Sequence, residues 1–147
     1  MSGTTCLFCR IGAKAIPAVV VHEDADTLAF LDIEPLRPGH TLIIPKLHLP
    51  YFDALPEPLA MHMMRLGQNL ARALKSVHGV DRVGFFYSGG DIAHVHAHVV
   101  PLHEKHDITS RRYIAEDTLT FRPPPRAPRE ALEAEAVRIR ARLAVRT

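Results

Sequence analysis

Long apolar runs and net charge are both missing from this sequence. No hydrophobic segment approaches the roughly 18 residues of a membrane-spanning helix, and no basic region leads into an apolar one near the N-terminus. The 18 Lys and Arg residues nearly balance the 16 Asp and Glu residues, which leaves a formal charge of +2. So small a bias argues against duplex nucleic acid or an anionic membrane as a partner, but it is compatible with small anionic ligands. We therefore expect a cytoplasmic protein.

Cysteine is scarce as well, since the only two cysteines both lie in the segment CLFC, residues 6–9. In a reducing compartment such a pair favours a metal or redox role over a structural disulfide. The spacing suits a tetrahedral zinc site, which would need two further ligands, and neutral imidazoles are the available choice. A redox dithiol is the alternative, although no thioredoxin-like βαβ pattern surrounds the pair.

The 147 residues are enough for one domain with a sizeable core, and we divide them into a domain over residues 1–122 and a tail over residues 123–147. A long helix is predicted between Pro56 and Gly79, which supply its start and its stop. The predicted strands are residues 18–21, 27–32, 40–45, 82–87 and 94–100, and a short helical turn covers residues 11–15. This order predicts an α+β fold with a mainly antiparallel five-stranded sheet.

The tail combines a stiff spacer with a second helix. Three consecutive prolines at 123–125 favour an extended polyproline conformation. After Pro128 acidic residues come first and arginines last, which complements a helix dipole. The apolar face of this helix is made of Leu132, Ala136, Ile139 and Leu143. Because a free helix of this length is marginal in water, that face must dock on the domain or on a partner chain.

Histidine is abundant, with ten residues, and three of them stand at every second position in the segment HVHAHVV, residues 94–100. Residues two apart share one face of an extended strand, so His94, His96 and His98 are predicted to form a row with the intervening apolar residues buried behind it. The outer two would stand roughly 13 Å apart, far enough to serve two neighbouring sites.

Imidazole near neutral pH can act as a nucleophile, an acid, a base or a metal ligand. A single histidine on a strand usually does no more than face solvent, but three in register beside the turn SGGD, residues 88–91, favour a functional site. One ring nitrogen of His96 could attack phosphorus if a fixed acceptor held the other. The polar segment 102–113 could also border an anion site, although a solvated loop is the simpler explanation of its charges.

The segment 94–100 resembles the signature of the histidine triad (HIT) family, and the resemblance covers roughly residues 4–101. Its other parts are CLFC at 6–9, VHED at 21–24, AFLDI at 29–33 and PGHTLIIPKLH at 38–48. The resemblance implies a HIT-like α+β fold that binds a purine nucleotide or nucleotide conjugate and that is usually a homodimer. It also implies a hydrolase or transferase that acts on nucleoside phosphoramidates, dinucleoside polyphosphates or related conjugates.

The resemblance further implies a role for individual residues. His96 would attack the α-phosphate to form a nucleotidyl-histidine intermediate, which water then hydrolyses to the nucleoside monophosphate. His98 would contact phosphate and be oriented by His40. Asp32 and Ile33 would belong to the ribose and base pocket.

Bacterial members with the cysteine pair are similar in holding zinc with four residues, which here are Cys6, Cys9, His48 and His94. Zinc in such a site would be structural, not catalytic. A metal ligand beside the nucleophile would help to fix the position of His96.

The segment YSGGDIA, residues 87–93, departs from the family pattern, because members commonly carry an Asn-containing loop and a Gly-Gln-Ser or Gly-Gln-Thr segment before the triad. Ser88 and the backbone N–H groups of Gly89 and Gly90 are predicted to cradle phosphate instead, whereas the carboxylate of Asp91 would repel phosphate unless it is turned away. We expect this change to alter the leaving-group preference.

Three interpretations follow. The first is a phosphoramidase-like enzyme acting through His96. The second is a nucleotide-binding regulator of the same fold with weak catalysis. The third is a zinc-stabilised interaction module whose C-terminal helix binds a partner.

Overall fold

The computed structural model describes residues 5–90, 92–105, 107–108 and 123–144. Asp91 and part of the polar segment 102–113, namely residues 106 and 109–113, lie outside these ranges. The described residues form a five-stranded sheet with three α-helices, so the predicted α+β fold is confirmed.

The sheet is antiparallel throughout and has the order β1-β2-β3-β5-β4. Its strands are β1 (Val20–Glu23), β2 (Thr27–Leu31), β3 (Thr41–Pro45), β4 (Arg82–Tyr87) and β5 (Ala97–Leu102). β2 and β3 are buried along their whole length because both faces of the sheet are covered there. The pairing of β3 with β5 places the end of each strand beside the start of the other, which brings distant histidines together.

The helices are α1 (Leu7–Gly12), α2 (Glu57–His78) and α3 (Arg129–Ala144), and a short 3-10 helix covers Phe52–Ala54. α2 begins after Pro56 and ends at Gly79, as predicted. Gly79 has a φ of 65° and its N–H donates to the carbonyl of Lys75, which is a left-handed helix ending that favours glycine. Among the described helices, none has the length and apolar character needed to cross a bilayer.

The predicted helical turn at 11–15 was wrong in its position, because α1 begins at Leu7 and ends at Gly12. The N–H groups of Arg10 and Ala13 donate to the carbonyls of Cys6 and Cys9, so the helical turns start at the cysteine pair itself. The helix ends before Lys14, whose φ is 61°. One helical turn therefore separates the two cysteines, which puts them on one side of α1.

Two apolar clusters cover the two faces of the sheet. Side chains of α2 and α3 pack with β1, β2, β3 and β5 in the larger cluster. The smaller cluster places Phe8 and Ile11 of α1 against Phe30, Leu42 and Ile44 of the opposite face.

The tail helix docks on its own domain. Leu132, Ala136 and Ile139 are buried in the larger cluster, and Leu143 packs against it. α3 contacts α2 and β1, which confirms the predicted apolar face. Docking of this face on the domain leaves it unavailable to a partner chain and so argues against the third interpretation.

Candidate catalytic and metal sites

The first site is a cluster of two thiols and two imidazoles. The ligand atoms of Cys6, Cys9, His48 and His94 all lie within 4.8 Å of one another. Topology explains the meeting: His48 follows β3, His94 precedes β5, and these antiparallel neighbours bring their adjoining ends together. α1 lies over the same face and supplies both cysteines.

The distances in this cluster suit one tetrahedral ion. The Sγ atom of Cys9 lies 3.2 Å from His48 Nδ1 and 3.5 Å from His94 Nδ1, and the two Nδ1 atoms are 3.2 Å apart. Cys6 Sγ lies 3.4 Å from His94 Nδ1. At the tetrahedral angle, zinc ligands at about 2.3 Å for sulfur and about 2.0 Å for nitrogen stand about 3.3 Å (nitrogen to nitrogen) to about 3.8 Å (sulfur to sulfur) apart. The cluster therefore fits a metal.

The imidazole of His94 is oriented for this task. Its Nε2 lies 2.9 Å from the carbonyl oxygen of Pro45, and a carbonyl only accepts, so Nε2 carries the proton and Nδ1 keeps a free lone pair. Burial lowers the pKa of His94, which keeps the ring neutral. Burial and the adjacent Cys6 raise the pKa of the Cys9 thiol to about 11, which disfavours the thiolate. A bound cation would favour the thiolate again.

The histidine row does not lie on one strand, so that prediction was wrong. β5 begins at Ala97, and only His98 of the three histidines belongs to it. Upstream the chain leaves the sheet: Val95 N–H donates to the carbonyl of Leu49, and His94 N–H donates to that of Ile92. His94 turns toward the cysteines and His96 toward a cavity, so the two histidines do face two neighbouring sites.

His96 is held by its own backbone neighbourhood. Its Nδ1 lies 2.7 Å from the carbonyl oxygen of His94, so Nδ1 must donate a proton and Nε2 is left with a lone pair. The ring of Phe8 packs edge-on against both imidazoles, with centroid distances of 5.9 Å to His94 and 5.1 Å to His96. The whole residue is only 7 % exposed, and it lines the cavity.

A directed chain of hydrogen bonds orients His98. Leu36 N–H donates to His40 Nδ1 at 3.2 Å, so His40 carries its proton on Nε2 and donates to His98 Nδ1 at 2.9 Å. His98 in turn must carry its proton on Nε2, which lies 2.9 Å from Ser88 Oγ. The last N–H of this chain thus points at the turn before β5, where it can serve an anion.

Asp32 stands behind this chain and completes a second group of ligand atoms with His40 and His98. Its Oδ2 lies 3.8 Å from His40 Nδ1, and its Oδ1 accepts from Glu34 N–H at 2.8 Å. Burial raises the pKa of the Asp32 carboxyl. Because the facing nitrogens of His40 and His98 are joined by a hydrogen bond, we assign this group to hydrogen bonding and not to a metal.

The buried imidazoles give the protein a predicted pH dependence. Burial lowers the pKa of His40 to about 4, and burial together with the neighbouring imidazoles lowers that of His98 to about 3. In the unfolded chain both imidazoles have a pKa near 6.5, which is higher than in the folded protein. At pH values between the folded and unfolded pKa, the unfolded state binds more protons, so the free energy of unfolding falls as the pH falls. We expect the free energy of unfolding to drop from pH 6.5 toward pH 4, and less steeply in His40→Asn than in the parent.

Urea unfolding at a series of pH values measures this slope. His103→Asn, which changes an exposed histidine, is the matched control and should keep the parent slope. Metal loss in acid would affect all three proteins and cancels in the comparison. An identical slope in His40→Asn and the parent would show that these imidazoles do not control the acid sensitivity.

A cavity of about 650 Å³ opens beside His96 and His98. The residues predicted for nucleotide binding meet there in part: Asp32, Ile33, Ser88 and Gly90 all line it. Gly89 lines a smaller neighbouring cavity of about 160 Å³, which Ser88 and His96 also border. Most of the wall of the larger cavity is apolar, with α1 on one side and β2 on another.

Three contributors escaped sequence reasoning. Phe8, which the sequence shows only as a residue between two cysteines, packs between the imidazole of His94 in the metal site and that of His96 at the cavity. The N–H of Leu36, which sets the proton position on His40, carries no side-chain signal. Arg126 lines the cavity from the tail, although it lies far from every other site residue in sequence. Only the closed fold places these groups.

Comparisons with known proteins match the chain to one family. The family model for the HIT domain matches residues 13–105. An uncharacterized HIT-like protein of Methanocaldococcus jannaschii is 38 % identical over 104 residues, 67 % of this chain and 80 % of that protein. The adenosine 5'-monophosphoramidase HNT1 of Saccharomyces cerevisiae is 36 % identical over 101 residues, 65 % of this chain and 61 % of that protein. A zinc-bound histidine triad family protein of Mycobacterium smegmatis superposes with a TM-score of 0.74 at 32 % identity, covering 98 % of this chain and 96 % of that one.

Proposed function

The chain belongs to the histidine triad (HIT) family, and from this premise we propose that it is a hydrolase or transferase of nucleoside phosphoramidates and related nucleotide conjugates, with His96 as the nucleophile. One observation carries the proposal. The 2.7 Å hydrogen bond from His96 Nδ1 to the carbonyl of His94 leaves a lone pair on Nε2 that accepts from none of the described residues, and His96 lines the cavity. The similarity to a protein named as an adenosine 5'-monophosphoramidase supports the choice of substrate class.

The reaction proceeds in two displacements. The Nε2 lone pair of His96 attacks the α-phosphorus, the bond from phosphorus to the leaving group breaks, and the departing amine leaves with the bond pair and takes a proton from solvent. In the intermediate the imidazole is cationic, and its Nδ1–H still donates to the carbonyl of His94, which stabilises that charge. Water then attacks phosphorus and gives up a proton to solvent, the bond pair to phosphorus returns to Nε2 of His96, and the nucleoside monophosphate is released.

The α-phosphate would be bound beside His98 and the turn before β5. Nε2 of His98 lies 2.9 Å from Ser88 Oγ. When a phosphate binds, the N–H of this nitrogen can donate to a phosphate oxygen instead of to Ser88. Because His40 is buried and neutral, it fixes the direction of this donor without adding a charge. Ser88 and the backbone at Gly90 line the same cavity and would supply the remaining donors.

The nucleoside would occupy the apolar part of the cavity. Leu7, Phe8 and Ile11 of α1 face Phe30 and Leu42 of the sheet there, which suits the face of a purine. Asp32, whose side chain is 21 % exposed, lies on the wall where a ribose hydroxyl could donate to it.

Zinc would be held by the thiolates of Cys6 and Cys9 with Nδ1 of His48 and of His94. When bound, zinc supplies a rigid cross-link between α1, the end of β3 and the start of β5. His94 is both a ligand and the residue whose carbonyl holds His96, so the cluster would position the nucleophile.

We include a homodimer in the proposal. β4 is an edge strand of the sheet, with no partner on its outer side among the described residues. Phe52 stacks on Tyr87 of this strand and is 62 % exposed, and Met64 on α2 is 48 % exposed. An unpaired edge beside exposed apolar side chains is a favourable surface for a second copy. Sedimentation equilibrium decides the assembly, and a monomer at micromolar concentration would contradict this part of the proposal.

The leaving group separates this enzyme from its relatives in a measurable way. A departing nucleoside polyphosphate carries several negative charges that fixed donors would stabilise, and the turn at 88–90 offers no Gln or Asn side chain for this purpose. A departing amine is neutral once it has taken a proton from solvent, so it needs fewer such donors. We expect kcat/KM for an adenosine phosphoramidate to exceed that for a diadenosine polyphosphate by about tenfold or more, which is about 1.4 kcal/mol of barrier. The Kd for adenosine or guanosine monophosphate should lie in the micromolar to millimolar range. A higher kcat/KM for the polyphosphate would show that other donors stabilise the negative charge of its leaving group.

The second candidate, a nucleotide-binding regulator with weak catalysis, rests on the same turn. Binding of a mononucleotide with no turnover of either substrate would favour it. Failure to bind any mononucleotide would reject both candidates.

A further inference from the structure

Arg126 lines the large cavity although it comes from the spacer before α3. We propose that Arg126 is a specificity-determining residue that binds the acceptor edge of a 6-oxopurine, so that guanosine conjugates are preferred over adenosine conjugates. This inference rests on the proposed function, since it assigns the nucleoside to the cavity beside His96.

The backbone around Arg126 is fixed at the cavity rim. The N–H of Ala127 donates to the carbonyl of Ile33 at 2.8 Å, which ties the spacer to the segment after β2. Ile33 lines the cavity and is 47 % exposed, so the ring of a bound base can reach it. Arg126 therefore extends from a position beside the predicted base pocket.

The spacer is anchored on its C-terminal side by α3. His78 of α2 pairs with Glu135 of α3, and both side chains are exposed by less than a tenth. Arg138 Nη2 donates to the carbonyl of Val77 at 2.7 Å, which adds a second link between these helices. With Pro125 before it and Pro128 after it, the short segment at Arg126 has few backbone conformations available.

The charged groups of Arg126 and Glu34 at the rim of the large cavity are available to a ligand. Arg126 makes no hydrogen bond or ion pair with any residue in the described ranges, and neither does the carboxylate of Glu34, which lines the same cavity. The two groups are not joined to each other within 4 Å. An arginine fork and a carboxylate on one rim together match a base that carries acceptors on one edge and donors on the adjacent edge.

Guanine is such a base. Its O6 and N7 atoms accept from an arginine fork in the commonest specific arginine contact with a base, whereas the same edge of adenine presents the N6 amino group as a donor. Guanine N1–H and N2–H₂ can donate to a carboxylate such as that of Glu34. One well-formed bidentate pair discriminates against the wrong base by roughly 5- to 150-fold.

The test compares two bases in four proteins. kcat/KM is measured for guanosine and adenosine phosphoramidates, and calorimetry gives the Kd of the two monophosphates, for the parent, Arg126→Ala, Arg126→Lys and Arg129→Ala. We expect the parent to prefer guanosine, and Arg126→Ala to lose about tenfold or more with guanosine but less than about threefold with adenosine. Arg126→Lys should lose nearly as much, because lysine keeps the charge and lacks the fork. Arg129, which pairs with Glu133 on the surface, is the matched control and should change neither base.

The outcomes separate this inference from the proposed function. An equal loss for both bases, or no loss, overturns the assignment of Arg126 even if turnover is found. Absence of turnover, together with a guanosine-selective loss of monophosphate affinity in Arg126→Ala, rejects the catalytic proposal and supports the role of Arg126. A parent that binds neither monophosphate overturns both.

Discussion

His96→Ala is expected to lower kcat for a nucleoside phosphoramidate by about a thousandfold or more, which is about 4 kcal/mol of barrier, while fold and nucleotide affinity stay nearly unchanged. The loss follows from the contacts of the three imidazoles. Nδ1 of His94 faces the cysteine sulfurs and Nδ1 of His98 accepts from His40, which leaves Nε2 of His96, a residue that lines the cavity, as the available nucleophile. Binding should survive because the apolar walls and the His98 donor are untouched.

The measurement is single-turnover and steady-state kinetics with a calorimetric Kd for the monophosphate. His96→Gly should behave like His96→Ala, and His103→Ala, at an exposed histidine, should keep parent activity. Retention of more than about a tenth of the parent kcat in His96→Ala would contradict covalent catalysis by this residue, since the nucleophile should contribute several kcal/mol. Loss of the monophosphate affinity as well would indicate a structural role.

Sequence patterns predicted the elements whose signals are local. β4 matches the predicted residues 82–87 without change, and α2 ends at the predicted glycine, because strand composition, a proline start and a left-handed stop all act within a few residues. The burial of both faces of β3 was likewise readable from its uninterrupted apolar run.

The histidine segment shows where local reasoning ends. Alternation over residues 94–100 predicted a strand, but the strand begins only at Ala97. Non-local partners decide the rest: the Cys6 and Cys9 cluster faces His94, and the carbonyl of Leu49 accepts from Val95 N–H. Tertiary contacts override a period-two pattern when they satisfy the same backbone groups in another conformation.

The proton positions could not be predicted at all. The tautomers of His40 and His98 follow from the N–H of Leu36, and that of His94 follows from the carbonyl of Pro45, so backbone groups decide what each imidazole can do. Arg126 was missed for a similar reason, since a spacer after three prolines gives no sign of which cavity it borders. Family resemblance predicted the candidate nucleophile, and only the fold supplies the groups that prepare it.

Loss of the metal is the other change with a large expected effect. We expect one zinc per chain in protein purified without chelator, with Zn–S distances of about 2.3 Å and Zn–N distances of about 2.0–2.1 Å in X-ray absorption. Cys9→Ala should bind zinc at far below one equivalent, because it removes the sulfur that lies 3.2 Å from His48 Nδ1 and 3.5 Å from His94 Nδ1. At a free zinc concentration of 1,000 times Kd, binding stabilises the folded state by about 4 kcal/mol, and this amount should be missing from the variant.

Cys9→Ala should also lose activity, because His96 is held less well and not because a reacting group is removed. Without the ion, the imidazole of His94 loses its link to α1 and keeps its bond to Pro45 and its packing on Phe8 and His48, so its carbonyl should hold Nδ1 of His96 less firmly. We therefore expect kcat to fall in Cys9→Ala with little change in monophosphate affinity, and His103→Ala to retain zinc, stability and kcat together. A metal content near zero in the parent, or a disulfide between Cys6 and Cys9, would contradict the zinc assignment. Full activity in a zinc-free Cys9→Ala protein would show instead that packing around Phe8 is enough to place the nucleophile.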